Sequence, residues 1–597
     1  MGRVKAINRL WWKEAVVYQI YPKSFKDSNG DGVGDLGGII EKLDYLEQLG
    51  VDVVWLCPIY ASPHVDNGYD ISDYYRIHLE FGTFEQFDRL LEGLHRRGMK
   101  LIMDLVVNHT SDQHRWFREA CSSKQNRYRN YYIWHKPRRP LPANTPLSEE
   151  NGQGGGPDIS TSRQFLPNNW LSFFEGPAWQ YDSSSGEYYL HLFSLQQPDL
   201  NWENQELREE IYTMMRWWLD RGIDGFRMDV INLISKHPDF PDSTDGGASR
   251  IIGGEYFING PKVMQHLQEM RSKVLDKYDV MTVGETPDVS PEEGLRYVGG
   301  EKPLLNMLFQ FEHMDIDNGS EGYWSVGEWS LVELKRILGN WQQQMARGGW
   351  NSLYLNNHDQ PRMVSRFGDD GKYRRESAKM LATMIHMMQG TPYIYQGEEL
   401  GMTNADFEDI TEYRDVATLN YYRRATEEEG LSPESAMRVV RYRSRDNGRT
   451  PMQWSDSPHA GFSTGEAWIE VNRNHTLINA NTAVKDPDSV FNYYRRLIQF
   501  RREHPAVVYG SYTDLLPEHE KLFVFQRTGA DECLLVLLNF SADTVPVDLL
   551  AVGTALESSK AACQKSIANY SDSPEILEAG SIELTLRPYE AVVYSQK

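Results

Sequence analysis

The chain has 597 residues, with 85 acidic against 62 basic side chains and a formal net charge of −23 at pH 7. This negative excess, without a long run of Lys or Arg, argues against nucleic acid and anionic membranes as partners. No stretch approaches the roughly 18 consecutive apolar residues of a membrane span, and no signal-peptide core precedes the first strand-like run. A cytoplasmic protein is therefore expected. The cysteines fit neither a disulfide framework nor a CxxC zinc site, and they are Cys57, Cys121, Cys533 and Cys563.

Short β-branched and aromatic runs alternate with amphipathic stretches through most of the chain. Near-continuous apolar runs are typical of parallel strands, because helices cover both faces of such a sheet. The pattern predicts an α/β fold with a TIM-type (β/α)8 barrel. The predicted strands are 15–22, 51–58, 100–109, 222–229, 280–285, 304–312, 351–359 and 391–399. The predicted helices include 84–96, 206–220, 262–276, 330–345 and 375–389.

An acidic loop, DSNGDGVGDLGG, follows the first predicted strand at 27–38. It matches an EF-hand loop at the oxygen-ligand positions one, three, five and nine and at the glycine in position six. The match fails at position twelve, where Gly38 replaces the bidentate Glu. The residues predict a small oxygen-ligand site that fixes one turn, with an ion-free Asp/Asn/Gly turn as the alternative.

Two interruptions and a change of pattern divide the chain. A polar, Pro/Gly/Asn-rich stretch after the third strand is too long for a βα loop and predicts an inserted domain at 110–188. A second excursion, at about 404–456, follows the eighth strand. After a last helix near 491–502, alternating strands with turn residues between them predict an antiparallel β-sandwich at 508–597. The barrel then comprises 1–109 and 189–507.

Chemistry in such barrels gathers at the C-terminal ends of the strands. One Asp or Glu at a strand end is often only a helix cap, but three carboxylates behind three apolar runs, each with a His or Arg nearby, predict a shared pocket. The residues that this rule selects are Asp70, Asn108, His109, Arg227, Asp229, Glu285, His358 and Asp359.

Paired carboxylates without a catalytic metal are the requirement of glycoside hydrolysis. Strands four and five are neighbours in a barrel, so Asp229 and Glu285 can reach the separation of about 5–5.5 Å found in retaining enzymes. Arg227 points to the same side of its strand as Asp229 and would keep that carboxylate ionised. We therefore expect Asp229 as nucleophile and Glu285 as acid/base.

The motifs resemble those of the α-amylase family of glycoside hydrolases, in particular its oligo-1,6-glucosidase and α-glucosidase branch. The resemblance covers nearly the whole chain in the order of the family. It is carried by DLVVNHT (104–110), GFRMDV (225–230), VGE (283–285) and NNHDQPR (356–362). Further support comes from WWKEAVVYQIYPKSF (11–25), GYDISDY (68–74), QPDLNWEN (197–204), YQGEELGM (395–402) and SRDNGRTPMQW (444–454).

The resemblance implies a role for each matching residue. Asp229 matches the nucleophile, Glu285 the general acid/base, and Asp359 the third carboxylate, which grips sugar hydroxyls. The remaining matches concern substrate binding. His109 and His358 match residues that hydrogen-bond the sugar, and Tyr69 matches a residue of the subsite wall. Arg227 matches the residue that holds the nucleophile, and Asp70 with Arg445 matches the ion pair that binds the terminal glucose in exo-acting members.

The resemblance also identifies the acidic loop with a structural calcium site of this branch. The implied ligands are Asp27, Asn29, Asp31, the Val33 carbonyl and Asp35. No organic cofactor is expected. The expected partners are small oligosaccharides, and the protein is expected to be a monomer or a weak homo-oligomer.

Substrate preference is suggested by Val230, the residue after the nucleophile. In this branch Val is typical of α-1,6 enzymes and Ala or Thr of α-1,4 enzymes, and one such contact is worth about 1–3 kcal/mol. We expect glucose release from isomaltose-type substrates. The alternatives are an α-1,4-glucosidase or sucrase with transglucosylation, a sucrose isomerase, and a non-catalytic scaffold member of the family. The isomerase is disfavoured because the arginine-rich loop of such enzymes has no counterpart in FEHMDIDNGSEG (311–322).

Overall fold

The computed structural model describes residues 9–139, 165–244, 251–320, 322–405, 407–549, 552, 562–578 and 583–596. Its strands are β1 Val17–Ile20, β2 Val53–Leu56, β3 Tyr60–Ala61, β4 Asp73–Ile77, β5 Lys100–Val106, β6 Trp134–His135, β7 Trp179–Asp182, β8 Glu187–Leu190, β9 Gly225–Asp229, β10 Met281–Glu285, β11 Met307–Phe309, β12 Asn318–Gly319, β13 Gly322–Val326, β14 Ser352–Leu353, β15 Thr391–Tyr395, β16 Ser511–Asp514, β17 Leu522–Thr528, β18 Cys533–Asn539, β19 Val545–Asp548, β20 Cys563–Ala568, β21 Ile576–Leu577, β22 Glu583–Leu586 and β23 Ala591–Gln596. Its α-helices are Trp11–Glu14, Leu36–Glu41, Leu43–Leu49, Phe84–Arg96, Arg115–Ser122, Gln205–Arg221, Gly254–Phe257, Val263–Lys273, Pro291–Val298, Leu331–Met345, Met363–Phe367, Arg374–Met387, Val416–Arg423, Pro433–Arg443, Asp446–Arg449, Ala480–Lys485, Val490–Glu503 and Pro505–Tyr509.

The centre of the molecule is a parallel barrel, as the sequence predicts. Eight strands pair in the order β11-β10-β9-β5-β2-β1-β15-β14. A parallel bridge between Leu308 and Asn351 joins the two ends of this sheet and closes the barrel. All eight strands overlap the predicted segments, because only buried parallel strands need apolar residues on both faces.

The predicted helices surround the barrel with their apolar stripes inward. Helix Phe84–Arg96 begins at a capping box, in which Thr83 and Gln86 bond each other's backbone N–H. Such a cap stabilises a helix end by about 1 kcal/mol. Its buried residues recur at helical spacing, so the amphipathic pattern alone fixes which face meets the strands. Among the described residues, no helix is long and apolar enough to cross a membrane.

The segment after β5 forms a small unit of its own. Its strands pair antiparallel in the order β6-β8-β7, beside helix Arg115–Ser122. Residues 140–164 of the predicted insert lie outside the described part of the chain. The expected boundary at 188 falls inside β8, which ends at Leu190.

The C-terminal domain confirms the predicted β-sandwich. Its larger sheet has the order β16-β17-β18-β23-β20-β21, and β19 pairs with β22. Side chains of β17 alternate between two cores, because successive residues of a strand point to opposite faces. Phe523 and Phe525 join the barrel core, whereas Leu522 and Val524 fill the interior of the sandwich. The domain is therefore packed firmly against the barrel.

Candidate active site

Two carboxylates stand at the ends of neighbouring barrel strands. Asp229 is the last residue of β9 and Glu285 the last of β10, and the two strands pair in parallel with Gly284 beside Met228. Gly225 permits this pairing, because a Cβ there would lie 1.9 Å from the carbonyl oxygen of Met281. The strand register thus brings both carboxyl groups to the same edge of the barrel.

One buried guanidinium joins these groups. Arg227 Nη1 lies 2.6 Å from Asp229 Oδ1, and Arg227 Nη2 lies 2.8 Å from Glu285 Oε2. Nη1 also lies 2.7 Å from Asp104 Oδ1, and the second oxygen of Asp104 accepts a 2.6 Å hydrogen bond from Trp55 Nε1. Asp104, Asp229 and Glu285 therefore share the charge of Arg227. The sequence had suggested Arg227 as a partner of Asp229 alone.

This shortage of positive charge affects the protonation of the cluster. Burial raises the pKa of Asp229 to about 7 and that of Glu285 to about 7, although Arg227 opposes both shifts. Burial likewise raises the pKa of Asp104 to about 6. Because like charges in a dry site disfavour each other, the cluster retains a proton near neutral pH. Such a site holds one group ready to donate a proton beside another that is ionised.

Val230 connects β9 to Glu285 through a strained backbone. Its φ of 34° and ψ of 42° lie in the left-handed region, which a β-branched residue rarely adopts. Strain of this kind costs about 1–3 kcal/mol and is concentrated at functional sites. In this conformation Val230 N donates a 3.0 Å hydrogen bond to Glu285 Oε2. The Val230 side chain is buried in the aromatic core beneath the inserted segment.

Asp359 lies in a second, cation-rich cluster. Its Oδ1 is 2.8 Å from Arg449 Nη2 and 3.1 Å from Arg445 Nη1, and its Oδ2 is 3.0 Å from His358 Nε2. Burial opposes ionisation, but these neighbours hold the pKa of Asp359 well below its usual range. Asp359 is therefore a fixed negative charge.

The two predicted histidines are both buried at the pocket. Gln19 Nε2 lies 2.8 Å from His358 Nδ1, and the ring of Tyr69 stacks on His358 at 5.1 Å. His109 Nε2 lies 3.1 Å from the Tyr69 carbonyl oxygen and 3.2 Å from Gln197 Nε2. Burial lowers the pKa of both histidines, so they stay neutral and can hydrogen-bond a neutral ligand.

The expected ion pair between Asp70 and Arg445 is wrong. Asp70 is fully buried, and it accepts hydrogen bonds from the backbone N–H groups of Val65 and Asp66 at 2.9 and 3.0 Å. Asp66 is the residue that reaches Arg445, at 3.2 Å. The same guanidinium lies 2.5 Å from Asp415 Oδ1. Asp70 shapes the turn, and Asp66 occupies the predicted position in the ion pair.

Sequence reasoning missed several residues of this site: Asp66, Asp104, Asp415, Arg449, Gln19 and Gln197. Asp104 lies in the motif DLVVNHT and Arg449 in SRDNGRTPMQW, so these motifs could have indicated both residues. Asp415 comes from the long excursion after β15, where no local pattern indicates a contact with Arg445.

The acidic loop after β1 is held by hydrogen bonds to its own oxygens. Asp27 accepts from the N–H groups of Asn29 (2.9 Å), Gly30 (2.7 Å) and Gly32 (2.9 Å) and from Ser463 Oγ (2.6 Å). Asp35 caps helix Leu36–Glu41 and accepts from Ser28. The all-oxygen donor set suits calcium, but these bonds occupy the acceptor sites of both Asp27 and Asp35. Asn29, Asp31 and the Val33 carbonyl retain acceptor capacity.

Comparison with known proteins gives the context of this site. The model of the α-amylase catalytic domain matches residues 19–510. An oligo-1,6-glucosidase of Parageobacillus thermoglucosidasius is 55% identical over 98% of this chain and 99% of its own length. The structure of a Bacillus licheniformis trehalose-6-phosphate hydrolase is 47% identical, with a TM-score of 0.89 over 98% of this chain and 100% of that one. An isomaltulose synthase from Klebsiella sp. LX3 is 41% identical, with a TM-score of 0.90 over 99% of this chain and 100% of that chain.

Proposed function

This chain belongs to the α-amylase family of glycoside hydrolases, and from that premise we propose that it releases glucose from the non-reducing end of short α-1,6-linked oligosaccharides. The relative from Parageobacillus, an oligo-1,6-glucosidase, supports this choice through identity along nearly the whole chain. The observation that carries the chemistry is the contact of one guanidinium with Asp229 and Glu285.

The reaction proceeds by double displacement. Glu285 donates its proton to the glycosidic oxygen while Asp229 attacks the anomeric carbon, so the bond from that carbon to oxygen breaks as a glucosyl–Asp229 ester forms. The leaving sugar departs with the proton. Glu285, now ionised, takes a proton from water, which attacks the same carbon and frees Asp229. Retention of the anomeric configuration follows from two inversions.

Arg227 prepares both partners for these steps. Its contact with Asp229 favours the ionised nucleophile, while the shared positive charge is too small to ionise every carboxyl group of the cluster. Glu285 then keeps the proton that the leaving oxygen needs. The Val230 N–H fixes the orientation of Glu285.

We attribute the exo mode to the ion network around Arg445. Arg445 joins Asp66 to Asp359 and Asp415, and its guanidinium lies over the Phe174 ring at 4.9 Å. We propose that this ion network blocks the site beyond the terminal glucose unit. Asp66 and Arg445 bind the hydroxyls of the terminal sugar, which is polar on every edge.

We assign the preference for α-1,6 over α-1,4 bonds to Val230. The alternative functions are those of an α-1,4-glucosidase and of a sucrase. The experiment compares kcat/KM for isomaltose, maltose, sucrose and trehalose 6-phosphate in the native enzyme and Val230→Thr. We expect isomaltose to be the best native substrate and the variant to shift toward maltose by about tenfold, the size of one methyl contact. Val508→Thr, at a buried valine of the C-terminal junction, is the matched control. Native preference for another sugar contradicts the proposed substrate.

We also propose that the acidic loop binds structural calcium through Asn29, Asp31 and the Val33 carbonyl. Asp27 and Asp35 join them as ligands by giving up some of their hydrogen bonds from protein donors. An ion that binds only the folded state raises Tm. Chelation by EGTA is expected to lower Tm, and added Ca²⁺ to restore it. The variant Asp31→Asn should respond less than the native chain, and equal responses of both would refute a site in this loop.

A further inference from the structure

A cluster of two histidines and a glutamate lies outside the catalytic pocket. His64 is in the turn between β3 and β4, and His78 and Glu80 directly follow β4. These two strands pair antiparallel, with Tyr60 opposite Ile77, so the turn and the strand end come together. The imidazole rings of His64 and His78 meet at right angles, with their centres 4.3 Å apart.

The spacing of the ligand atoms suits a small divalent ion. Glu80 Oε2 lies 3.8 Å from His64 Nε2 and 3.7 Å from His78 Nδ1. The three potential ligand atoms all lie within 4.8 Å of one another. Zinc bonds of about 2.0–2.1 Å in a tetrahedron put neighbouring ligands about 3.3 Å apart, so the three side chains must move closer together to share an ion.

The hydrogen bonds of His64 provide a second, independent observation. Both of its ring nitrogens are buried, and neither has a hydrogen-bond partner within the described part of the chain. A buried polar atom without a partner costs about 1–3 kcal/mol. A neutral imidazole is the form of histidine that binds metals.

We propose that His64, His78 and Glu80 bind a divalent ion of the zinc type, with water at the fourth position. Glu80 is about half exposed, with 48% of its side-chain surface accessible, and gives the ion a path from solvent. Its carboxylate supplies the negative charge of the site. The nearby cation, Lys23, has its own partners, because its Nζ donates to Asn67 and lies over the Trp468 ring.

The location connects this site with the sugar pocket. His64 precedes Asp66 by two residues, and the turn between them is bound to Asp70. An ion held by His64 and His78 cross-links the two strands of the hairpin. The segment 64–70, which places Asp66 beside Arg445, is then held at one end by the ion and at the other by the hydrogen bonds to Asp70.

Zinc binding is measured on the full-length enzyme with calcium present, so that oxygen-ligand sites are filled. Competition against a chromogenic chelator gives the affinity, and the visible absorption of Co²⁺ reports nitrogen ligands in a tetrahedral site. Loss of even an indirect metal partner weakens binding about 10–100-fold, so His64→Asn, His78→Gln and Glu80→Gln should each lose at least about tenfold. The native chain should also gain Tm with Zn²⁺.

The control variant is His95→Gln. His95 is a more exposed histidine that pairs with a single carboxylate, Asp224, at 2.8 Å. It should bind Zn²⁺ with native affinity. Equal Zn²⁺ affinity in all variants, an equal loss in His95→Gln, or the absence of a saturable native site would each overturn the proposal. Unchanged circular dichroism of the variants excludes misfolding as the cause of lost binding.

Discussion

The two carboxylate clusters of the pocket use the same residue types for different purposes. Around Arg227, three carboxyl groups share one guanidinium, and the pKa values of Asp229 and Glu285 rise to about 7. Around Asp359, two guanidinium groups and a histidine surround the carboxylate, and its pKa falls well below the usual range. One guanidinium for three carboxyl groups gives a site that moves protons, whereas two guanidinium groups shared by Asp66, Asp359 and Asp415 keep a fixed charge at Asp359. The ratio of cations to carboxyls thus separates the two sites.

The largest effect is expected from removing the nucleophile. Asp229→Asn keeps the shape of the side chain and a hydrogen-bond acceptor for Arg227, so the fold and Tm should be nearly native. Activity should fall by about 10⁴-fold or more, because no ester can form. Turnover of isomaltose and thermal unfolding are measured together, with Asp220→Asn, a surface change at the Tyr278 contact, as control. Near-native turnover would remove Asp229 from the mechanism.

The proton donor is tested through the leaving group. Glu285→Gln should lower kcat/KM for isomaltose by about 10²–10⁴-fold, since general acid catalysis contributes that much. Aryl glucosides with acidic leaving groups need little protonation and should lose much less. The native pH profile should be bell-shaped around pH 7, and its alkaline limb should disappear in the variant. An equal loss for both substrate types would contradict the assignment.

The cation ratio also predicts how stability depends on pH. The pKa of Glu285 is raised from 4.5 to about 7 in the folded state, so the folded protein binds this proton more tightly than the unfolded chain. Stability from this group is complete below the unfolded pKa and is lost as pH rises to about 7. The Tm of Glu285→Gln relative to the native chain should therefore increase between pH 4.5 and 8. Glu209→Gln, at a surface contact with Lys273, should show no such trend.

The smallest change in kcat/KM is expected in the cluster around Asp359, where substitutions of Asp66 and Asp70 should differ in effect. Asp66→Asn should lower kcat/KM by about tenfold or more, because a charged hydrogen bond is worth about 1.5–3 kcal/mol. Asp70→Asn keeps an acceptor for the turn and should change kcat/KM less than Asp66→Asn. Kinetics with isomaltose decide between them, and the reverse order of effects would restore Asp70 to the pocket.

The sequence predicted the barrel and its carboxylates because both depend on local patterns. Apolar runs identify the strands, and residues directly behind them, such as Asp229 and Glu285, are brought together by strand register alone. The exchange of Asp66 for Asp70 could not be predicted in this way. Both acids lie in one turn, and only its hydrogen bonds decide which carboxylate stays inside the turn. Asp415 reaches Arg445 from a long excursion, which no periodicity describes.

In the proposed mechanism, Asp229 attacks the anomeric carbon while Glu285 transfers the proton. Its most direct test uses Glu285→Gln with α-glucosyl fluoride, whose leaving group needs no acid, followed by rapid acid quench and peptide mass spectrometry. Without the base, hydrolysis of the ester is slow, so one glucosyl unit should accumulate on the peptide that contains Asp229. Glucosylation of another residue, or free glucose of inverted configuration without any adduct, would contradict the account.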